Sequence, residues 1–310
     1  MKNLHKSNSL TRNVYAADAS PRTIELSRRR AIWAKNRKRV MLKGTRLAYN
    51  TRAQDKYVAK LKGLVKYMAK ITAREVTALF EAKPAQTFFA MDADIASQAR
   101  ILTNRLTSKF NKLFAFRSKE YAEEMVERTD RLSATATRES LKKISGGLTI
   151  NTKRLDVDTK TILKASVNEN VLLIKSIGAE YTSNIQEMVM RSITTGNGLQ
   201  DIIPALAKYE GISERKAKNI ALDQTRKVYN SLNKGRLTKA GVKKFEWIHS
   251  GGGQKPREEH IAMDGQIYDF DDPPVIDSKT GDTGIPGQAP NCGCTFIPVV
   301  EFDDGGETDE

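Results

Sequence analysis

Between about residues 22 and 140 the sequence carries no strand signal and few helix breakers. The stretch SRRRAIWAKNRKRVMLKGTRLAYNTRAQDKYVAKLKGLVKYMAKITAREVTALFEA is rich in Ala, Leu, Lys and Arg, which lose little side-chain freedom in a helix. Pro84 interrupts it, and a second helical stretch follows with Ile95, Leu102, Leu106, Phe110 and Leu113 at helical spacing. This half of the chain is therefore expected to form a helical body.

SGGLTINTKRLDVDT (145–159) is a turn-rich break with room for a short strand. A third helical block spans about 168–240. Ile174, Ile177, Tyr181, Ile185 and Val189 recur every three or four residues and predict a packing face. TTGNG (194–198) stops that helix, and residues 201–209 give a short one. Ser213 is a candidate N-cap for the next helix, with Gly241 just past its end.

After Gly241 the pattern changes. KKFEWIHS and QIYDF alternate like half-buried strands, CTFIPVV is a third strand candidate, and Gly and Pro cluster between them. The expected fold class is α+β, a predominantly α-helical N-terminal body with a small β-rich C-terminal domain. Its parts are a basic helical arm (1–70), a helical region (71–160), helices over 165–240 with a small α+β unit over 241–300, and an acidic disordered tail (301–310).

The net charge of +15 is unevenly distributed. Residues 1–70 hold 19 Lys/Arg against 3 Asp/Glu, whereas residues 251–310 hold 3 against 14. A one-sided basic end attracts phosphate through counterion release, and Arg28, Arg29, Arg30, Lys35, Arg37, Lys38 and Arg39 are its densest cluster. A solvated helical face is the competing reading. There is no zinc-finger spacing, basic zipper or aromatic RNA-binding signature, so sequence-specific readout is not expected. No apolar run is long enough to span a bilayer. The polar N-terminus lacks the apolar core of a secretory signal, as expected of a chain used in a cytosol-like compartment.

Both cysteines, Cys292 and Cys294, lie in GQAPNCGCTFIPV. Upstream, PREEHIAMDG sets Arg257 and His260 on one face of a helical turn that Asp264-Gly265 would end. His260, Cys292 and Cys294 are ligand types that zinc prefers, with His249 or Asp264 available as a fourth. Cys-x-Cys is tighter than the usual knuckle spacing, and two small buried hydrophobes or a redox pair are the alternatives. An active site with His260 as base, Asp264 as its orienter and Arg257 as an anion clamp is conceivable. No nucleophile accompanies them, so no catalytic residue is assigned and a non-enzymatic role is expected.

In this order the motifs resemble the phage Mu F-like head morphogenesis (minor capsid protein) family over about residues 165–300. The resemblance rests on ALDQTRKVYNSLNKGRLTKAGVKKFEW, then Arg-x-x-His-x-x-x-Asp-Gly, then Pro-Asn-Cys-x-Cys. It falls on Asp223, Gln224, Thr225, Gly241, Trp247, Arg257, His260, Asp264, Gly265, Pro290, Asn291, Cys292 and Cys294. The chain departs from the family at Gly253 and Lys255, where an acidic residue and an arginine are common, and at Gly293, where the family has arginine. The resemblance implies a low-copy virion protein inside the capsid near the portal, present in the host cytoplasm during assembly. Its implied partners are the portal protein, capsid or scaffolding proteins and phage DNA bound without sequence preference, with no membrane in the assembled state. A nuclease or toxin-like effector carried in the head is the alternative from another class.

Overall fold

Along helix α1 (Thr51–Glu81), Tyr57, Leu61, Val65, Met68, Thr72, Val76 and Phe80 are buried at spacings of three or four residues, the stripe of a helix packed on one face. The computed structural model describes residues 39–81, 88–147, 159–252 and 256–303. Three more long helices follow, α2 (Phe88–Ile144), α3 (Thr159–Thr195) and α4 (Leu199–Lys239). The chain divides into two compact units. One is helical and comprises residues 51–127 and 165–225; the other comprises residues 1–50, 128–164 and 226–310.

In the helical unit α1 is joined by Ile95, Leu102, Leu106, Phe110 and Phe114 of α2 and by Ile174, Ile177, Tyr181, Ile185 and Val189 of α3, all buried. The stripe expected on α3 is thus its core face. Leu113 is only half-buried, and the neighbouring Phe114 takes the core position. Gly178 makes room for that ring, since a Cβ there would lie 2.9 Å from Phe114 Cδ2. A buried polar chain crosses the unit. Tyr57 Oη donates to Asn170 Oδ1 (3.0 Å), and Asn170 Nδ2 donates to Gln224 Oε1 (3.2 Å).

The second unit is built on a four-stranded antiparallel sheet in the order β1-β6-β2-β3. Its strands are β1 (Arg39–Lys43), β2 (Lys244–Ile248), β3 (Ile267–Asp269) and β6 (Thr295–Asp303). Strands β4 (Val275–Asp277) and β5 (Asp282–Thr283) pair separately, and a one-and-a-half-turn helix, α5 (Glu258–Ala262), follows β2. Phe245 and Trp247 alternate inward on β2 and pair in register with Pro298 and Phe296 of β6. Phe245, Phe270 and Phe296 form an aromatic triangle with centroids 4.8, 5.7 and 5.5 Å apart. Each such ring contributes about 2 kcal/mol through burial. The ends of α2 and α4 complete this core through Leu141, Ile144, Tyr229 and Leu237.

Helix α4 ends as expected. Gly241 takes φ +84°, with Val242 N–H on Leu237 O (2.9 Å) and Gly241 N–H on Thr238 O (2.9 Å), the paired bonds of a glycine-terminated helix.

Four expectations need correction. Residues 39–43, read as part of a helical arm, are strand β1. Their partner is β6, from Arg39 opposite Asp303 to Lys43 opposite Val299. Ser213 caps nothing: α4 is continuous, and Ile202, Leu206, Ala217 and Ala221 keep one buried face running past Gly211. The β4–β5 pair falls in a stretch read only as loop. Finally, the acidic end at 301 begins as sheet, with Glu301 ion-paired to Lys244 at 2.8 Å. The short strand expected within 145–159 and the tail from residue 304 lie outside the described residues.

Candidate functional site

Two loops of the sheet unit meet beside Trp247. The first leaves β2, enters α5 through Arg257 (φ −73°, ψ 130°), and returns to β3. Asp264 and Gly265 fasten this return. Asp264 Oδ1 accepts the His249 N–H (2.8 Å), and Gly265, at φ +76°, donates its N–H to Trp247 O (2.8 Å). The second loop carries Pro290-Asn291-Cys292. Asn291 sits at φ +57°, a left-handed conformation that asparagine tolerates better than most side chains, and Cys292 N–H closes a turn on Ala289 O (3.0 Å). Arg257 ties the two loops by donating from Nη2 to Pro290 O (3.1 Å).

This arrangement delivers His260, Cys292 and Cys294 to one buried point. They are 3%, 3% and 2% exposed, and their ligating atoms all lie within 4.8 Å of one another. His260 Nδ1 stands 3.5 Å from Cys292 Sγ and 3.8 Å from Cys294 Sγ. Its Nε2 is 2.9 Å from Ile276 O, and because a carbonyl only accepts, Nε2 carries the proton. Nδ1 is thereby turned to the sulfurs. The Gly287 and Cys294 N–H groups both donate to Cys292 Sγ at 3.4 Å. Trp247 covers the imidazole edge-on with centroids 5.1 Å apart. Its buried indole N–H has no close hydrogen-bond partner among the described residues but borders Cys294 closely enough to favour that residue's anion.

The electrostatics follow from these contacts. The Cys294 thiol, then His260 and the two backbone N–H groups, stabilise the Cys292 anion and lower its pKa against the opposing effect of burial. Cys294 is pushed up by sharing its proton with Cys292 and by burial. The Cys292 sulfur raises the pKa of His260. The site therefore favours a thiolate at Cys292.

A supporting layer, absent from the sequence reading, surrounds the cysteines. Tyr49 Oη donates to Cys294 O and accepts from Asn230 Nδ2 (2.8 Å), which also reaches Pro286 O (2.6 Å). Burial raises the Tyr49 phenol, keeping it a donor. Arg226 Nη1 approaches Cys292 O (3.4 Å), with its guanidinium 5.7 Å from the Tyr49 ring centroid. An asparagine inside a helix, as at Asn230, was the one available signal, since helix interiors disfavour it.

Not every expected residue reaches the point. His249 Nδ1 accepts from Gly251 N–H (3.2 Å) and, like Asp264, falls outside the group of converging ligand atoms among the described residues. Asp264 bonds the His249 backbone rather than orienting His260, so the imagined base–orienter pair is not assembled. Gln224 belongs to the polar chain of the helical unit and also donates to Glu169 Oε1 (2.9 Å), while Thr225 Oγ1 donates to Ala221 O (2.7 Å). Asp223 is half-buried on the same helix. Arg39 opens β1; Arg28, Arg29, Arg30, Lys35, Arg37 and Lys38 lie outside the described residues, as do Gly253 and Lys255.

Residues 183–297 match the family described as Phage Mu protein F like protein, which supports the resemblance read from the motifs. A protein of Haemophilus influenzae (strain ATCC 51907 / DSM 11121 / KW20 / Rd), described as an uncharacterized protein, is 34% identical over 132 residues, 43% of this chain and 28% of that protein. The uncharacterized protein YqbB of Bacillus subtilis (strain 168) is 25% identical over 126 residues, 38% of this chain and 41% of that protein. The chain thus spans under half the length of either relative. No solved structure matches. Among the described residues no helix is long and apolar enough to cross a membrane.

Proposed function

We propose that this chain is a structural head-morphogenesis protein of a tailed phage, a minor component that docks on the portal during assembly and stays inside the capsid near it. The observation that carries this reading is the family match over residues 183–297, which takes in the end of α3, all of α4, strands β2 to β5 with α5, and the first residues of β6. The basic N-terminal segment supports contact with packaged DNA, because a filled head presents concentrated phosphate. Capsid or scaffolding proteins are further partners on the same reading.

The geometry lends little to the nuclease or effector alternative. His260 is buried with both ring nitrogens engaged, and Asp264 and Arg257 are committed to backbone groups. The apolar stripe of α3 is used inside the helical unit, so docking on the portal falls to the outer faces of the helices. Co-expression with the portal protein of its phage, followed by size-exclusion chromatography, tests the proposal. Co-elution is expected; clean separation at micromolar concentration contradicts direct docking.

A further inference from the structure

We infer that Cys292 Sγ, Cys294 Sγ and His260 Nδ1 are three protein ligands of a zinc ion that locks the two loops of the sheet unit together. The inference is independent of the phage assignment and rests on this cluster alone.

The distances fit an ion. Zinc binds thiolate at ~2.3 Å and imidazole at ~2.05 Å, so tetrahedral angles separate a sulfur and a nitrogen ligand by about 3.6 Å. The observed separations are 3.5 and 3.8 Å, with all three atoms within 4.8 Å of one another. The second neighbours fit too. His260 gives its other ring N–H to a backbone carbonyl, the usual way a metal-bound imidazole is held in one tautomer. Cys292 Sγ takes two backbone N–H groups, which suits an anionic sulfur. The buried Trp247 indole N–H borders Cys294.

A metal-free packing arrangement explains less. Nδ1 has one lone pair once Nε2 carries the proton, yet two sulfurs approach it at near-equal distance. One S–H···N bond serves only one of them and leaves the other thiol to its neighbouring sulfur, which does not account for its approach to Nδ1. A cation at the common point satisfies all three donors. Two soft sulfurs and an imidazole select zinc over magnesium or calcium, which prefer oxygen. Three protein ligands leave one coordination position for water or another exogenous donor.

The test uses the full chain, purified without a histidine tag after growth in zinc-supplemented medium. Zinc content is measured by inductively coupled plasma mass spectrometry, and the protein is then exchanged into cobalt(II). About one zinc per chain is expected, together with a thiolate-to-cobalt charge-transfer band in the near ultraviolet and tetrahedral bands in the red. His249→Ala keeps both signals, while the Cys292→Ser/Cys294→Ser double variant loses both. If the double variant does not fold, the wild-type cobalt spectrum decides by itself, because the band requires sulfur on the metal. Folded wild-type protein that carries no zinc and yields no charge-transfer band on cobalt titration overturns the inference. So does zinc that survives in a folded double variant.

Discussion

A methyl group at position 287 would sit 2.6 Å from Asn230 Nδ2 and 2.7 Å from Tyr49 Oη. Gly287 also has φ +82°, and its N–H is one of the two that hold Cys292 Sγ. Three demands therefore meet at one residue: a left-handed backbone, a close approach, and a donor aimed at sulfur. Gly287→Ala is expected to destabilise the chain by about 2 kcal/mol and to loosen the Cys292 loop. Urea denaturation measures the first effect. A midpoint equal to wild type would show that the Tyr49–Asn230 pair is not positioned as described. The same scale shows what the motif residues do. Arg257, Asp264 and Gly265 act on backbone groups around the cluster and Asn291 takes a left-handed turn beside it, which gives a physical reason for those residue types at those spacings.

At the scale of elements, strand β1 shows how a remote partner overrides local preference. RVMLK lies among helix-forming residues, but β6 offers it an antiparallel edge some 260 positions away. The link continues past the strand through Leu47 N–H on Phe296 O (3.0 Å) and Arg46 Nε on Thr295 Oγ1 (2.8 Å). Residues 39–50 thus belong to the sheet unit, and the part of the basic end that precedes the sheet is residues 1–38, with 10 Lys/Arg against 2 Asp/Glu. A chain beginning at residue 39 is expected to keep its melting temperature and lose salt-sensitive duplex DNA binding. One beginning at residue 51 also forfeits β1, Leu47 and Tyr49, and its melting temperature falls by on the order of 10 °C. Calorimetry and fluorescence anisotropy at two salt concentrations read both effects. Undiminished DNA binding by the chain from residue 39 would assign the segment to another partner.

The long helices and strands β2, β3 and β6 were legible because apolar periodicity and alternation are local properties. Leu102, Leu106 and Phe110, or Phe245 and Trp247, state their faces without help from distant residues. β1, β4, β5 and the uninterrupted course of α4 were not, because each depends on a partner that no local window contains. The cluster divides the same way. His260, Cys292 and Cys294 were recognisable by ligand type, whereas Tyr49 and Asn230 support it through carbonyls of segments far away in sequence. His249 and Asp264, of ligand type as well, bond one loop's backbone and lie outside the converging atoms among the described residues.

At the scale of the whole molecule, the proposed role in head assembly rests on the family match over residues 183–297. The chain's helical unit buries apolar stripes of three helices, its sheet unit brings His260, Cys292 and Cys294 to one buried point, and its basic charge is concentrated in residues 1–70. Quantitative mass spectrometry of density-purified heads, with chemical cross-linking, tests the central claim most directly. The account predicts the chain in mature heads at a small fraction of the major capsid protein's abundance, with cross-links from its helices to portal subunits. Heads of otherwise normal composition that lack the chain, with all of it left in the soluble lysate, would contradict it.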